Sequence, residues 1–376
     1  MAVDTLYFSR DTKMYIKIGA AVWEVPVLDG FSFSQATNST EVTLAEMEDS
    51  SGVSKRGRRM FNDSLAPVEW SCSTYVRPFK TAGSGSGAAN DTANNHHAVE
   101  EVLWALMIGD AAYTSHDFTG FTRDTTDLDI NFASSNKATL GTADIFFSLD
   151  DAGSDPVVYK IASAVVNEAS IDFDIDGLAT INWSGFGSTL TEDSKPTKTV
   201  YEDIAATDNF IRNRLTQLVI TANDTTTFPG SSSGTYTLTL TGGSITISNN
   251  ITYITPETLG AVNTPVGHVT GARSVTGSFN CYLGLDSGTN TGTSTDFYND
   301  MTSAAARALI TNSFQTTFKI GGASATPRME FAMGTAHFEI PAHGIEDVIS
   351  LETSFHGLPS TIASTNEATI KYVGAA

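Results

Sequence analysis

The stretch from Ile161 to Gly187, IASAVVNEASIDFDIDGLATINWSGFG, constrains the fold more than any other part of the chain. Ile171, Phe173 and Ile175 alternate with Asp172, Asp174 and Asp176. After Gly177, Ala179, Ile181 and Trp183 alternate with Thr180, Asn182 and Ser184. A period of two gives each strand one apolar and one wet face, and Asp-Gly between the two runs favours a hairpin. A two-residue turn would set Ile175 opposite Leu178 and Phe173 opposite Thr180, which moves Ile181 and Trp183 onto the aspartate face. A three-residue turn with a glycine bulge instead pairs Phe173 with Ala179 and Ile171 with Ile181. Only the second register leaves one face apolar, so it is the one expected.

The rest of the chain has similar chemistry. Thr, Ser, Gly and Asn are plentiful and charged residues make up only 17%, which suits strands and turns rather than helices. The chain is expected to be mainly β. Its 42 acidic residues outweigh 21 basic ones, giving a net charge of −21. Such a surface repels phosphate and anionic lipid, which disfavours a conventional nucleic-acid-binding or membrane role. The N-terminus MAVDTLYFSR lacks a basic region followed by an apolar run, and no segment is long enough to cross a bilayer. A chain made soluble in the cytoplasm is the expectation.

Along the chain, strand-like alternation covers residues 14–35, 68–75, 143–149, 210–223, 235–254, 314–320, 329–340 and 347–355. Residues 36–66 are polar with little periodicity and are expected to form a long loop. TAGSGSGAAN at 81–90 is a tether, and HAVEEVLWALMI at 97–108 is the clearest helix, with Val99, Leu103, Leu106 and Met107 on one side. A second helix is expected over 296–309. With 376 residues the chain can build two cores.

The halves also match weakly in order. Pro26 lies over Pro256 at an offset of 230, and WSCSTY over GSFNCY at 207. Leu149 and Pro156 lie over Ile320 and Pro327 at 171, and Ile181 over Leu351 at 170. Two copies of one strand-rich domain follow, at 1–196 and 197–376, divided near SKPTKTV. The second is expected to lack most of the 36–66 loop.

Chemical motifs are sparse. Asp172, Asp174, Asp176 and Gly177 give DxDxDG, the start of a calcium loop, yet Trp183 stands where the bidentate Glu belongs and strands flank it. GSGSG at 83–87 lacks the order of a phosphate loop. His96 and His97 precede a helix without further ligands and read as surface or capping residues. His337, His343 and His356 lie outside any HExxH spacing, and there is no GxSxG elbow. Cys72 and Cys281 read as buried inert thiols. Neither a cofactor nor an enzyme is expected.

VPVLDGFSFSQATNSTEVTLAEM, VEWSCSTYVRPF and ASIDFDIDGLATINWSGFG followed by FIRNRLTQLVITA resemble the tail tube (major tail) proteins of long-tailed bacteriophages, in particular those with a duplicated tube domain. The resemblance implies two tandem β-sandwich domains, each with a flanking α-helix, whose strands join neighbours in a β-barrel around a lumen. It implies a virion protein that polymerises with itself into trimeric, pseudo-hexameric rings, hexamers being the alternative. The rings stack through an extended loop, with the tail tip, tape measure and tail terminator proteins as partners.

In that setting Phe31, Phe33, Trp70, Ile171, Phe173, Ile181 and Trp183 form the core. Glu69, Ser71, Asp172, Asp174, Asn182 and Glu352 line a lumen through which DNA passes without specific binding. Lys55, Arg56, Arg58 and Arg59 sit on the ring-stacking loop and meet carboxylates of another copy. Competing readings are a carbohydrate-binding β-sandwich adhesin, and the inner tube of a contractile tail or phage-derived bacteriocin.

Overall fold

Ile171 faces Ile181 and Asp172 faces Thr180, so the register with a single apolar face is the one found. The turn is wider than a three-residue bulge. Residues 175–179 lie outside both strands, Gly177 adopts φ +94°, and Leu178 bridges to Arg212 instead of Ile175. Ile175 and Leu178 therefore leave the apolar face and are exposed.

The computed structural model describes residues 7–42, 50–53, 58–80, 95–109, 112–114, 117–132, 140–151, 156–200, 209–230, 233–255, 265–284, 292–322 and 327–374. The described residues are mainly β, with one 19-stranded antiparallel sheet and three small two-stranded ones. Its first half holds β1 (Lys13–Ile18), β2 (Ala21–Val25), β3 (Ser32–Val42), β4 (Arg59–Tyr75), β5 (Pro78–Lys80), β6 (His96–Ala98) and α1 (Glu101–Ile108). Then come β7 (Tyr113–Thr114), β8 (Asp117–Phe118), β9 (Phe121–Arg123), β10 (Asp127–Asn131), β11 (Ala143–Leu149), β12 (Val157–Asp174), β13 (Thr180–Gly187) and β14 (Thr189–Glu192). The second half holds β15 (Gln217–Ala222), β16 (Thr235–Leu238), β17 (Leu240–Ser248), β18 (Thr252–Ile254), β19 (Gly267–Val269) and β20 (Ser274–Tyr282). It continues with α2 (Ser294–Met301), α3 (Ala304–Arg307), β21 (Phe314–Ile320), β22 (Arg328–Phe338), β23 (Ala342–Gly344), β24 (Ser350–Gly357) and β25 (Thr369–Val373).

The central run of the sheet is β3–β4–β13–β12–β17–β20–β24. Strand β12 belongs to two layers. Its second part pairs with β13 and β17, while its first part pairs with β11 and β14. Ser163, at φ +50°, marks the change. Phe147 of the outer layer stacks on Phe31 and Phe33 at 5.3 and 4.8 Å. The hydrophobic core runs without interruption through residues of both halves.

The helix after the tether lies against the sheet and is enclosed on its other sides as well. Every residue of α1 is buried, because VLWALMI is apolar around the whole helical circumference, and such a helix must be enclosed. It begins at Glu101 rather than at 97, since His96–Ala98 pairs with Pro78–Lys80. The second expected helix is two short ones. Thr293 and Asp296 form a capping box on α2, and Ser303 caps Ala306 to start α3 afresh.

The expected loop at 36–66 is also corrected. β3 and β4 pair from Thr37↔Leu65 out to Val42↔Arg59, making an extended hairpin. Bulges at Gln35/Thr37 and Asn38/Ser39, with both faces in water, erase the alternation that marks a strand. The tether at 81–90 lies outside the described residues.

Strand pairings in the second half reproduce those in the first. Tyr75↔Thr180 through Val68↔Gly187 becomes Tyr282↔Ser350 through Val275↔Gly357 under the offsets 207 and 170. Ile16↔Ile145 becomes Ile220↔Thr316 with 204 and 171, and Ile16↔Trp23 becomes Ile220↔Tyr236 with 204 and 213. Phe33↔Trp70 becomes Ile245↔Gly277 with 212 and 207. The offset of 230 read from Pro26 and Pro256 does not fit between 213 and 212, and Pro256 lies outside the described residues. Nor is the long connection missing from the second half. In the sequence, residues 249–273 take its place, and within them β18 pairs with β19.

Candidate functional site

The central sheet turns one face to the core and the other to solvent. On the core side Trp70, Ile171, Phe173, Ile181 and Trp183 are buried, while Phe31 and Phe33 at the edge are half-buried. Trp183 packs edge-on against Trp104 of α1 at 4.7 Å, and its ring N–H donates to Thr74 Oγ1 at 3.0 Å. Burying two indoles with their polar tips satisfied fixes the helix against the sheet.

Glu69, Ser71, Asp172, Asp174, Asn182 and Glu352 all lie on the opposite face. Cross-strand pairing places them there. Asp172 faces Thr180 and Ser244, and Asp174 faces Gly242, which faces Asn280, which faces Glu352. Ser71 is half-buried and the other five are exposed. Neighbouring side chains bond across the strands. Asn182 Nδ2 donates to Asp172 at 3.1 Å, Ser73 Oγ donates to Asn182 at 2.7 Å, and Ser32 and Ser71 hydroxyls meet at 2.8 Å.

The paired stretches 68–75, 165–174, 180–187, 240–248, 274–282 and 350–357 contain no lysine or arginine. Glu69, Glu168, Asp172, Asp174 and Glu352 thus give this face a one-signed field over a ladder of hydroxyls and amides. Among the described residues no group of three His, Cys, Asp or Glu could hold a metal. The face offers hydrogen-bond acceptors and negative charge.

Arg58 and Arg59 sit near the outer end of the β3–β4 hairpin. Arg58 pairs with Glu41 at 3.6 Å in an exposed position, and Met60 and Phe61 beside them are exposed as well. Lys55 and Arg56 lie outside the described residues. Cys72 and Cys281 are free and buried.

A buried polar cluster around α1 escaped the reading of the sequence. His96 and His97 are buried rather than exposed. His97 contacts Glu101 at 3.1 Å, and Arg123 bridges Glu101 at 3.2 Å and Asp117 at 2.6 Å. Burial alone would raise the Glu101 carboxyl, but Arg123 and His97 beside it bring it down to about 2. Its neighbour Glu100 is pushed the other way, up to about 7 by burial, although Tyr372 O–H donates to it at 2.7 Å. The available signal was the i, i+4 spacing of His97 and Glu101.

Glu100 makes a prediction about pH. Folded protein holds its proton more tightly than unfolded protein, so between pH 4.5 and about 7 the native state carries the extra proton. Stability from this group falls as pH rises through that window. Relative to wild type, Glu100→Gln should therefore gain on the order of 2–3 kcal/mol between pH 4.5 and pH 8. Urea melts of both proteins at the two pH values check this; a pH-independent difference would refute it.

A family model for the phage tail tube protein matches residues 85–357. The chain is also 29% identical over 378 residues to tail tube protein pb6 of Escherichia phage T5, across 96% of this chain and 75% of that protein. With a family match spanning most of its length, this chain belongs to the phage tail tube protein family.

Proposed function

We propose that the chain, a structural virion component and not an enzyme, closes into three-chain rings that stack into the hollow tail tube. The repeats 1–196 and 197–376 would alternate around each ring as six similar units. One observation carries this reading: β12 of the first half pairs with β17 of the second, Ser170↔Thr246, Ile171↔Ile245 and Asp172↔Ser244. Each half thus presents a donor edge and an acceptor edge, and one of each remains over.

The repeat gives the register of the remaining joint. β3 is the counterpart of β17 and, among the described residues, pairs only with β4. β23 takes the place of the second part of β12 and, among the described residues, pairs only with β24. Laying β23 of one copy against β3 of the next matches Ala342 with Ser34, His343 with Phe33 and Gly344 with Ser32. Closing the ring this way covers both edges, as closure does in a barrel.

The polar face would then line the bore. Carboxylates at Glu69, Asp172, Asp174 and Glu352 repel DNA phosphates, so the genome passes without adhering. The β3–β4 hairpin, with Lys55, Arg56, Arg58 and Arg59, would reach the acidic face of the next ring. The tail tip, tape measure and tail terminator proteins are the remaining partners, and assembly would take place in the host cytoplasm.

Negative-stain images of the purified protein test the reading: tubes with a hollow axis are expected, and compact solitary particles would overturn it. For Asp172→Lys with Asp174→Lys, tubes should still form, but DNA ejection from reconstituted phage should slow by on the order of tenfold at low salt. The defect should shrink as salt screens the charge. Unchanged ejection kinetics would remove the repulsive bore.

A further inference from the structure

Residues 210–215, which lead into the first strand of the second half, run against the Asp176-Gly177 turn. Ala179 N–H donates to Ile211 C=O at 2.8 Å, Asn213 N–H donates to Gly177 C=O at 3.2 Å, and Leu178 bridges to Arg212. The contact leaves Ile211 and Ala179 each 1% exposed. Asn213–Leu215 then makes one 3-10 turn before β15 begins.

Both sides of this contact recur elsewhere in the chain, each without its partner among the described residues. The offset of 204 that carries β1 onto β15 also carries residues 7–11 onto 211–215. A second 3-10 turn, Ser9–Asp11, stands where Asn213–Leu215 does. On the other side, offset 170 carries Leu178 and Ala179 onto Val348 and Ile349. The bond from Val76 N–H to Ala179 C=O at 3.0 Å reappears from Leu283 N–H to Ile349 C=O at 2.9 Å. Yet Tyr7 is 53% and Phe8 38% exposed, and Val348 is 60% and Ile349 41% exposed.

Beside the Val348 turn lies a groove of about 810 Å³, lined by Tyr282, His343, Asp347, Val348 and Glu352 among others. The groove beside the first turn is about 180 Å³, with Asn213, Arg214 and Thr216 forming part of its wall.

Resting on the ring reading above, we infer that Tyr7–Asp11 of one copy docks on the Val348–Ile349 turn of its neighbour, as residues 211–215 dock on Leu178–Ala179 within the chain. Tyr7 C=O accepts from Ile349 N–H, and Phe8 bridges Val348. The apolar side chains of the two segments cover each other, which removes exposed hydrophobic surface from both. Since β1 leads into the half that offers β3, the arm and the strand joint engage together, and the second contact becomes intramolecular once the first has formed.

The test is a pair of cysteine variants of the full chain, each oxidised under assembly conditions. Phe8→Cys with Val348→Cys probes the arm, and Ser34→Cys with Ala342→Cys probes the strand joint. The inference expects intermolecular disulfides in both, with loss of most of the monomer band on a denaturing gel. Joint disulfides without arm disulfides overturn the arm contact and leave the rings standing. An arm disulfide formed only within single chains overturns it too. Absence of both disposes of the arm together with the ring. As a second readout, Tyr7→Ala with Phe8→Ala should raise the concentration needed for tube formation about tenfold while monomer melting is unchanged; wild-type assembly would count against docking.

Discussion

Oxidation of the Ser34→Cys, Ala342→Cys variant is expected to yield closed covalent trimers, with dimers as intermediates and nothing larger. The expectation comes from inside the chain, where Ser170 and Thr246 are direct partners across β12 and β17. Ser34 and Ala342 occupy the corresponding places on β3 and β23, and both are exposed. The native thiols do not compete, because burial holds Cys72 and Cys281 up at about 12. Three chains offer three joints, so a closed ring exhausts them. A ladder running past three would refute the stoichiometry while keeping the joint; disulfides confined to single chains, or absent, would refute the joint itself.

Gly185→Ala is expected to cost on the order of 3 kcal/mol or more. A Cβ there would sit 2.0 Å from the Val165 carbonyl oxygen and 2.7 Å from the Trp70 ring. The oxygen belongs to the backbone of β12, the strand shared by both layers and both halves, so it cannot yield without disturbing the pairing around Val166↔Gly185. Trp70 cannot yield either, being buried between strands. Gly334→Ala is the control, since nothing lies within 4 Å of its Cβ, and it should stay within about 0.5 kcal/mol of wild type. Denaturant melts of the two variants decide the matter, and equal stability would refute the packing argument.

The pairing of Ile171 with Ile181 was legible because one register alone gathers Phe173, Ile181 and Trp183 on a single side. The wet face could be read for the same reason, as alternation fixes which residues share a side even when the sheet's neighbours are unknown. The hairpin at 36–66 could not be read, because strands bathed in water on both faces have no pattern to display. The enclosure of α1 was hidden too. A helix apolar all round says that it is covered but not by what, and His97 and Glu100 became buried only because Arg123 and Tyr372 arrive from distant positions.

The amino-acid sequence by itself determined the local period, the place of the turn and the absence of lysine and arginine from one face of the sheet. These depend on near neighbours and on charge. Only the tertiary structure decided that β12 joins two layers and two halves, that the weak repeat is a repeat of strand registers, and that, among the described residues, β3 and β23 each pair with a single neighbour. Strand partners are chosen by contacts between residues far apart in sequence, and one chain read alone carries no mark of which edges will meet.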